Sequence, residues 1–188
     1  MEVLDGIDAK LQKWLLAQPM FVVATAPLSG TGHVNASPKG MAGTFAVLDR
    51  YRVGYLDYYG SGVETIAHLR ENGRITLMFS AFTGKTSIIR LYGQGRVVLP
   101  EDAEFAELRR HFDKERVTAQ RAIVVVDLDR VQDSCGYAVP LMDFVADRSV
   151  LDLHQEKKGA AAYALYPTTK NARSIDGIPG LDPATIND

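Results

Sequence analysis

The sequence predicts a mainly β protein of the α+β class, in which at least six antiparallel strands close into a barrel and helices lie outside it. Two observations support this fold class. Segments with the pattern of strands outnumber those with the pattern of helices, and most are joined by turns too short to contain a crossover helix. Helices do not alternate with strands as a parallel βαβ sheet requires, so a Rossmann fold is not expected.

The first predicted elements are a helix and two strands. Asp8 can cap a helix whose apolar side chains recur at helical spacing up to Pro19. Residues 20–26 are a short, β-branched apolar run, which predicts a buried strand. Residues 33–37 alternate like a second strand, and Pro38 is expected to end it because proline interrupts the pairing of strands.

The middle of the chain predicts four further strands and one helix. Strands are predicted over residues 45–48, 52–56, 74–80 and 87–99. The first two form a hairpin, and the last two are joined by a tight turn that contains Gly84. Residues 63–73 indicate a two-turn helix that ends at Gly73. The longest strand is expected to bend at Gly93 or Gly95.

The last third of the chain contains a clear strand pattern over residues 122–131, with a helix on either side of it in sequence. Pro100 and the two acidic residues after it begin the first helix, which runs to His111, since proline and acidic side chains favour a helix N-terminus. Residues 147–158 predict a second, amphipathic helix. The chain is expected to be irregular from Tyr166 onward.

Composition is that of an ordinary globular protein: 46% of the 188 residues are hydrophobic, and 21 basic against 23 acidic side chains give a net charge of −2. This charge balance argues against nucleic-acid and anionic-membrane partners. One cysteine fits a reducing compartment, and we find neither a signal peptide nor a membrane span, so a cytoplasmic location is expected. No linker divides the sequence, so residues 1–188 are interpreted as one domain, with 133–188 as a C-terminal extension.

Two glycine-containing turns could bind an anion such as a phosphate. In the first, Ser37, Pro38, Lys39 and Gly40 bring together a hydroxyl group, an ammonium group and an unhindered N–H. The alternative is a surface turn with a solvated lysine, because Pro-Lys-Gly is common in turns.

The second turn, Gly60-Ser61-Gly62, lies between a strand and a helix, where free N–H groups and the helix dipole favour an anion. The alternative is a structural role in which Ser61 caps the helix and Glu64 completes a capping box. Thr65 stands where a dinucleotide-binding fingerprint would have its third glycine, so that fingerprint is not assigned.

The remaining polar residues give weaker patterns. Alternation puts Arg90, Tyr92 and Gln94 on one face of their strand. This face either binds a phosphate or stacks on a ring through Arg90, or is a solvated face of the sheet. Cys135 has no histidine near it in sequence, so we expect it to be structural or to line the site, and not to act as a nucleophile. The four histidines lack metal-ligand spacing, and no hydrolase or nucleoside-triphosphatase motif is present.

Four segments follow one another in a specific order: residues 21–40 (FVVATAPLSGTGHVNASPKG), 51–62 (YRVGYLDYYGSG), 63–79 (VETIAHLRENGRITLMF) and 88–98 (IIRLYGQGRVV). In this order they resemble the pyridoxamine 5'-phosphate oxidase-like flavoproteins, which share the six-stranded FMN-binding split barrel. The tail, with SCGYAVPL at 134–141 and KNARSIDGIPGL at 170–181, is similar to a branch of that family with a C-terminal extension.

The resemblance implies a homodimer that binds two FMN molecules at the subunit interface and acts on a small-molecule substrate. It also implies which residues of this sequence contact the cofactor. The phosphate contacts would be Lys39, Ser61 and Thr65. The ring would lie against the strand backbone around Ser37, Pro38 and Gly40, and Arg90 and Gln94 would be further contacts.

The sequence departs from true pyridoxamine phosphate oxidases at two places. Gly62 and Val63 stand where those enzymes carry an Arg-Lys pair, and the tail has no counterpart of their substrate-binding Arg and His. We therefore expect an FMN-dependent oxidoreductase with another substrate, and Tyr55, His33 and Cys135 are its unranked acid–base candidates. The alternatives are the same barrel with the deazaflavin F420 or haem, and a non-enzymatic binding or storage protein.

Overall fold

The computed structural model describes residues 1–185. Over these residues the chain forms eight strands, five α-helices and one 3-10 helix, η1. In chain order the elements are β1 (Glu2–Leu4), α1 (Ala9–Leu16), β2 (Met20–Thr25), β3 (Asn35–Gly40), β4 (Phe45–Asp49), β5 (Arg52–Tyr58), α2 (Glu64–Asn72), β6 (Arg74–Ser80), β7 (Ile88–Val98), α3 (Phe105–Arg109), β8 (Gln120–Ser134), α4 (Val150–Lys158), α5 (Ala160–Tyr163) and η1 (Pro183–Thr185).

The strands form one antiparallel sheet in the order β3-β2-β6-β7-β8-β5-β4, and β1 pairs with the end of β8. The sheet curls around an apolar core into the half-barrel of a split barrel, which confirms the mainly β, antiparallel fold class. The sequence predicted at least six strands, and residues 1–185 form eight. β1 was missed because a three-residue strand is too short to show periodicity.

Aromatic side chains bring the two ends of the curled sheet together. Phe21 on β2 and Phe79 on β6 come from one end of the strand order, whereas Phe45 on β4 and Tyr55 on β5 come from the other. Their rings contact one another at centroid distances of 5.0 to 5.6 Å. Each such pair contributes about 0.5–1.5 kcal/mol beyond the burial of its area, so these contacts stabilise the curvature of the sheet.

β3 differs from its prediction and thereby positions the candidate site. It begins at Asn35 and continues through Pro38 to Gly40, where the sequence predicted that Pro38 would end it. Proline is tolerated there because β3 lies at the edge of the sheet and pairs only with β2. The register sets Asn35, Ser37 and Lys39 opposite inward-facing residues of β2, so these three side chains share the inner face of the sheet.

Helix α2 follows the loop at residues 60–62 and ends as predicted, with Gly73 in the left-handed conformation at φ +71°. Its start differs from the prediction. The N-cap is Val63, which makes no capping hydrogen bond, and Ser61 lies two residues outside the helix. The capping-box interpretation of Ser61 was therefore wrong, and the loop is instead fixed through its backbone carbonyls, as described below.

The other predicted elements form with altered ends, whereas the short helices α5 and η1 were not predicted. Asp8 caps α1 through a 2.7 Å bond from the N–H of Leu11, and the first strand, the hairpin, β6 and β7 all form. β8 is longer than predicted. Turns replace both ends of the predicted α3, and irregular chain replaces the first residues of α4, so these two helices are shorter. The tail is mainly turns, as expected, and residues 186–188 of the predicted extension lie outside the described residues.

No helix in the described part of the chain is long and apolar enough to cross a membrane.

Candidate functional site

A buried carboxylate is the centre of the candidate site. Asp57 lies on β5, and its side chain is fully buried inside the sheet. One oxygen, Oδ1, accepts a 2.9 Å hydrogen bond from Nζ of Lys39 on β3. The other, Oδ2, accepts a 2.5 Å bond from Nε of Arg121 on β8. Three strands that are distant in sequence thus meet at one carboxylate.

The charges of this cluster determine how it can act. Burial alone would raise the pKa of Asp57, but the charges and hydrogen bonds of Arg121 and Lys39 outweigh burial and lower that pKa to about 2. At neutral pH the cluster therefore contains two cations and one anion, with one net positive charge. Lys39 is its accessible cation, since a quarter of that side chain is exposed, compared with 5% for Arg121.

The same cluster fixes the loop before α2. Nη1 of Arg121 donates to the carbonyl of Gly62 at 2.8 Å and to Oδ1 of Asn171 at 3.0 Å. Nδ2 of Asn171 donates in turn to the carbonyls of Gly60 at 3.2 Å and Gly62 at 3.4 Å. Asn171 belongs to the C-terminal tail and is fully buried. Both loop carbonyls are thus directed at the buried side of the loop.

A second polar network runs beside the first along the inner face of β3. Nδ2 of Asn35 donates to the hydroxyl groups of Thr25, at 3.2 Å, and Thr65, at 3.0 Å, while Oδ1 of Asn35 accepts from Ser37 at 2.8 Å. Nδ1 of His68 lies 2.9 Å from the Thr25 hydroxyl. Burial lowers the pKa of His68, so its ring is neutral at neutral pH. This network orients Ser37, whose hydroxyl donates its proton to Asn35, and Thr65, whose hydroxyl accepts from the same side chain.

A cleft of about 840 Å³ opens next to Lys39, and ligand-binding sites commonly have volumes of about 300–1,000 Å³. One wall is the end of β3, and a second is the end of β5 with Gly60. Residues 142–148 of the tail form a third wall. A Cβ at Gly60 would meet nothing within 4 Å, so a ligand can approach the backbone there closely. The apolar lining includes Pro38, Met41, Leu56, Tyr58, Tyr59 and Phe144.

The structure brings some predicted site residues to this cleft and places others elsewhere. Pro38, Lys39 and Gly40 line it, and Ser61 is exposed directly after the lining residue Gly60. Ser37 and Thr65 lie in the polar network behind the cleft wall.

Arg90 and Gln94 are on β7 and outside the cleft lining. Arg90 alternates with the buried Ile89 and Leu91, so it points to the outer face of the sheet, where Nη1 donates to the Ser134 hydroxyl at 2.8 Å. Gln94 is exposed farther along the same strand.

The three acid–base candidates lie in different surroundings. Burial raises the pKa of Tyr55 well above its ordinary value, so its phenol is protonated at neutral pH and cannot act as a base. Nδ1 of His33 lies 2.6 Å from Oδ1 of Asp176 in the tail. Cys135 is exposed and lies outside the cleft lining, so it is not the small core residue that a lone thiol usually is. Among residues 1–185, no group of three or more His, Cys, Asp and Glu side chains could hold a metal ion.

Sequence reasoning missed Asp57, Arg121 and Asn171. For two of these residues a signal was present, because Asp57 and Arg121 are charged side chains next to apolar strand residues, and burial of a charge requires a partner. The sequence could not indicate that they partner each other, since 64 positions separate them. For Asn171, in an irregular tail, there was no comparable signal.

The chain is similar to known proteins in sequence and in structure. A family profile described as "Pyridoxamine 5'-phosphate oxidase" matches residues 7–135. A relative from Aspergillus flavus, the "Pyridoxamine 5'-phosphate oxidase family protein ustO", is 38% identical over 194 aligned residues, covering 96% of this chain and 78% of the relative.

Two solved structures show the same fold. HupZ of Group A Streptococcus is 19% identical, with 68% of this chain and 93% of HupZ covered and a TM-score of 0.54. An FMN-binding protein from Syntrophomonas wolfei is 15% identical, with 66% of this chain and 82% of that protein covered and a TM-score of 0.50. At these identities the likeness concerns the fold alone.

Proposed function

The chain belongs to the pyridoxamine 5'-phosphate oxidase family, and on this premise we propose that it binds FMN in the cleft beside Lys39 and Gly60 and is a flavin-dependent oxidoreductase of a small molecule. The observation that carries the proposal is the position of Lys39. Its ammonium group belongs to a cluster with one net positive charge, at the wall of a cleft large enough for a flavin.

The residues present fit the phosphate of FMN. A phosphate needs cations or unsatisfied N–H donors, and the first four N–H groups of a helix have no partner within the helix. Lys39 supplies the cation, and the exposed Ser61 precedes the N-terminus of α2. Because Thr65 is buried and bonded to Asn35, its role in our proposal is to fix the start of the helix.

The residues present also fit the flavin ring. The cleft has an apolar lining that includes two tyrosine side chains, Tyr58 and Tyr59, and a phenylalanine, Phe144. Apolar walls of this kind exclude water and favour planar ring systems. When bound, FMN would supply the hydride chemistry, while the protein orients the ring and the substrate. Tyr55 is fully buried outside the cleft lining, and its protonated phenol offers no base.

We do not propose pyridoxamine phosphate as the substrate. Gly62 and Val63 replace the Arg-Lys pair of the true oxidases, and Lys39 is proposed to replace that charge. We further propose a homodimer in the cytoplasm, as the family resemblance and the lone cysteine suggest. Identification of the bound ligand distinguishes FMN from the alternatives F420 and haem. An assay of turnover distinguishes an oxidoreductase from a protein that only holds a flavin.

The test compares FMN with riboflavin, which lacks the phosphate. A charged hydrogen bond to phosphate contributes about 1.5–3 kcal/mol, so Lys39→Ala should weaken FMN binding by about ten- to a hundredfold and leave riboflavin binding nearly unchanged. Fluorescence quenching measures both affinities. The matched control is Lys85→Ala, which removes an exposed lysine in the turn between β6 and β7. Unchanged FMN affinity, or an equal loss for both ligands, would contradict the phosphate assignment.

A further inference from the structure

The tail residues 171–181, here called the C-terminal strap, lie across the start of α2. Leu181 is buried against Val63 and Ile66, the first apolar residues of that helix region. The N–H of Leu181 donates to the carbonyl of Asn171 at 2.8 Å, so both ends of the strap meet there. Arg70 on α2 donates to the carbonyl of Gly180.

Further contacts connect the middle of the strap to the body of the protein. The N–H of Ile175 donates to Oε1 of Glu64 at 3.3 Å, in the first turn of α2. Asp176 accepts from the N–H of His33 at 2.7 Å and lies against the ring of the same residue. The strap is therefore attached at both ends and in its middle, and it has a fixed position relative to the loop at residues 60–62.

Asn171 determines which way that loop presents its peptide groups. The Nδ2 atom of Asn171 binds the carbonyls of Gly60 and Gly62 from the buried side. A trans peptide unit is planar, with its C=O and N–H on opposite sides, and no peptide bond among the described residues is cis. Holding the two carbonyls inward therefore turns the N–H groups of the following residues, Ser61 and Val63, away from Asn171.

We propose that Asn171 is a positioning residue for phosphate recognition, because it directs the N–H of Ser61 outward beside the cleft. This inference rests on the proposed function, since it concerns the same phosphate. Asn171 contacts the loop and Arg121, and Arg121 contacts Asp57, which in turn holds Lys39. Asn171 in the strap thus orients the N–H donor of Ser61. Through Arg121 and Asp57 it also positions Lys39, the cation of the proposed phosphate site.

The experiment measures FMN and riboflavin affinities for the full chain and three variants. Asn171→Ala removes both bonds from this side chain to the loop carbonyls and leaves only the bond from Arg121 to Gly62. It should weaken FMN binding about tenfold while riboflavin binding changes less than about twofold. Asn171→Asp has the same shape and still accepts from Arg121, but it cannot donate to the carbonyls and adds a negative charge. It should weaken FMN binding at least as much, and it keeps the test valid if the alanine variant does not fold. Ile175→Ala is the control, since that strap side chain is 71% exposed.

The outcomes separate this inference from the proposed function. If the unmodified chain binds FMN no more tightly than riboflavin, the proposed phosphate site fails and the inference fails with it. If the chain prefers FMN but both Asn171 variants keep that preference, only the positioning role is overturned. An equal loss of both ligands would also overturn it, because a strap that merely supports the fold does not distinguish a phosphate from a hydroxyl group.

Discussion

At the scale of single residues, Asp57 connects stability with the proposed binding chemistry. Its carboxylate is buried between two cations, and each of those cations contacts a part of the candidate site. Breaking such a buried pair leaves an uncompensated charge, which typically costs about 3–5 kcal/mol. The cluster therefore keeps Lys39 and the loop before α2 in a fixed relation.

The lowered pKa of Asp57 predicts acid-sensitive stability. The unfolded carboxyl titrates near 3.8 and the folded one at about 2, so the stabilisation is complete above pH 3.8 and is lost as the pH falls through 2. Such a shift corresponds to about 2 kcal/mol at neutral pH, and Asp57→Asn should lower the free energy of unfolding by at least that amount. The difference in the free energy of unfolding between the unmodified chain and Asp57→Asn should become smaller toward pH 2. Urea unfolding at pH 7, 5, 3 and 2 measures it, with exposed Glu107→Gln as the control. If the difference in the free energy of unfolding stays constant with pH, the lowered pKa of Asp57 is contradicted.

Cys135 carries a second prediction at this scale. It is exposed, and the sequence offers it no base partner, so we expect no nucleophilic role. Cys135→Ser should change the free energy of unfolding by no more than about 0.5 kcal/mol, as is usual for surface positions. FMN affinity should be unchanged as well. Loss of turnover in a folded, flavin-loaded Cys135→Ser protein would show that the interpretation is wrong.

At the scale of elements, hydrophobic periodicity predicted most strands and helices, since long segments with one buried face carry a strong signal. The differences arise where tertiary contacts decide. Pro38 continues β3 because that strand is at an edge, a fact that no local pattern contains. Ser61 is not a helix cap, because Asn171 and Arg121 hold the loop from another part of the chain. For the same reason the sequence named only part of the candidate site. Lys39 and Gly40 were predicted site residues and line the cleft, whereas Asp57, Arg121 and Asn171 were not predicted.

The bend in β7 gives a prediction for one element. The register between β7 and β8 shifts between Tyr92 and Gly93, as expected from the glycine. A Cβ at Gly93 would lie 2.0 Å from the carbonyl oxygen of Asp127, which is backbone and cannot move aside. Gly93→Ala should therefore destabilise the sheet by more than about 2 kcal/mol, because overpacking forces backbone shifts. Gly30→Ala is the control, since a Cβ there meets nothing within 4 Å. Equal unfolding midpoints for the two variants would contradict the role of Gly93.

At the scale of the whole molecule, the segment that follows β8 is unusually apolar on its surface. Tyr137, Leu141, Phe144 and Val145 are between 60% and 93% exposed in the single chain. Large exposed apolar patches mark interaction sites in soluble proteins. Part of this segment, residues 142–148, also forms a wall of the proposed flavin cleft, so a second chain packed here would complete the enclosure of the ligand. These features support the proposed homodimer.

Native mass spectrometry of the purified, unmodified chain measures oligomeric state and bound ligand together, and it tests the proposal that this is a flavin-binding homodimer. We expect a species of twice 20.6 kDa that carries two FMN molecules, with the ligand identified after denaturation. The protein should also be yellow before denaturation. A monomer at micromolar concentration would contradict the dimer. A chain that releases no flavin, and that takes up no FMN when the cofactor is added in excess, would contradict the proposed function itself.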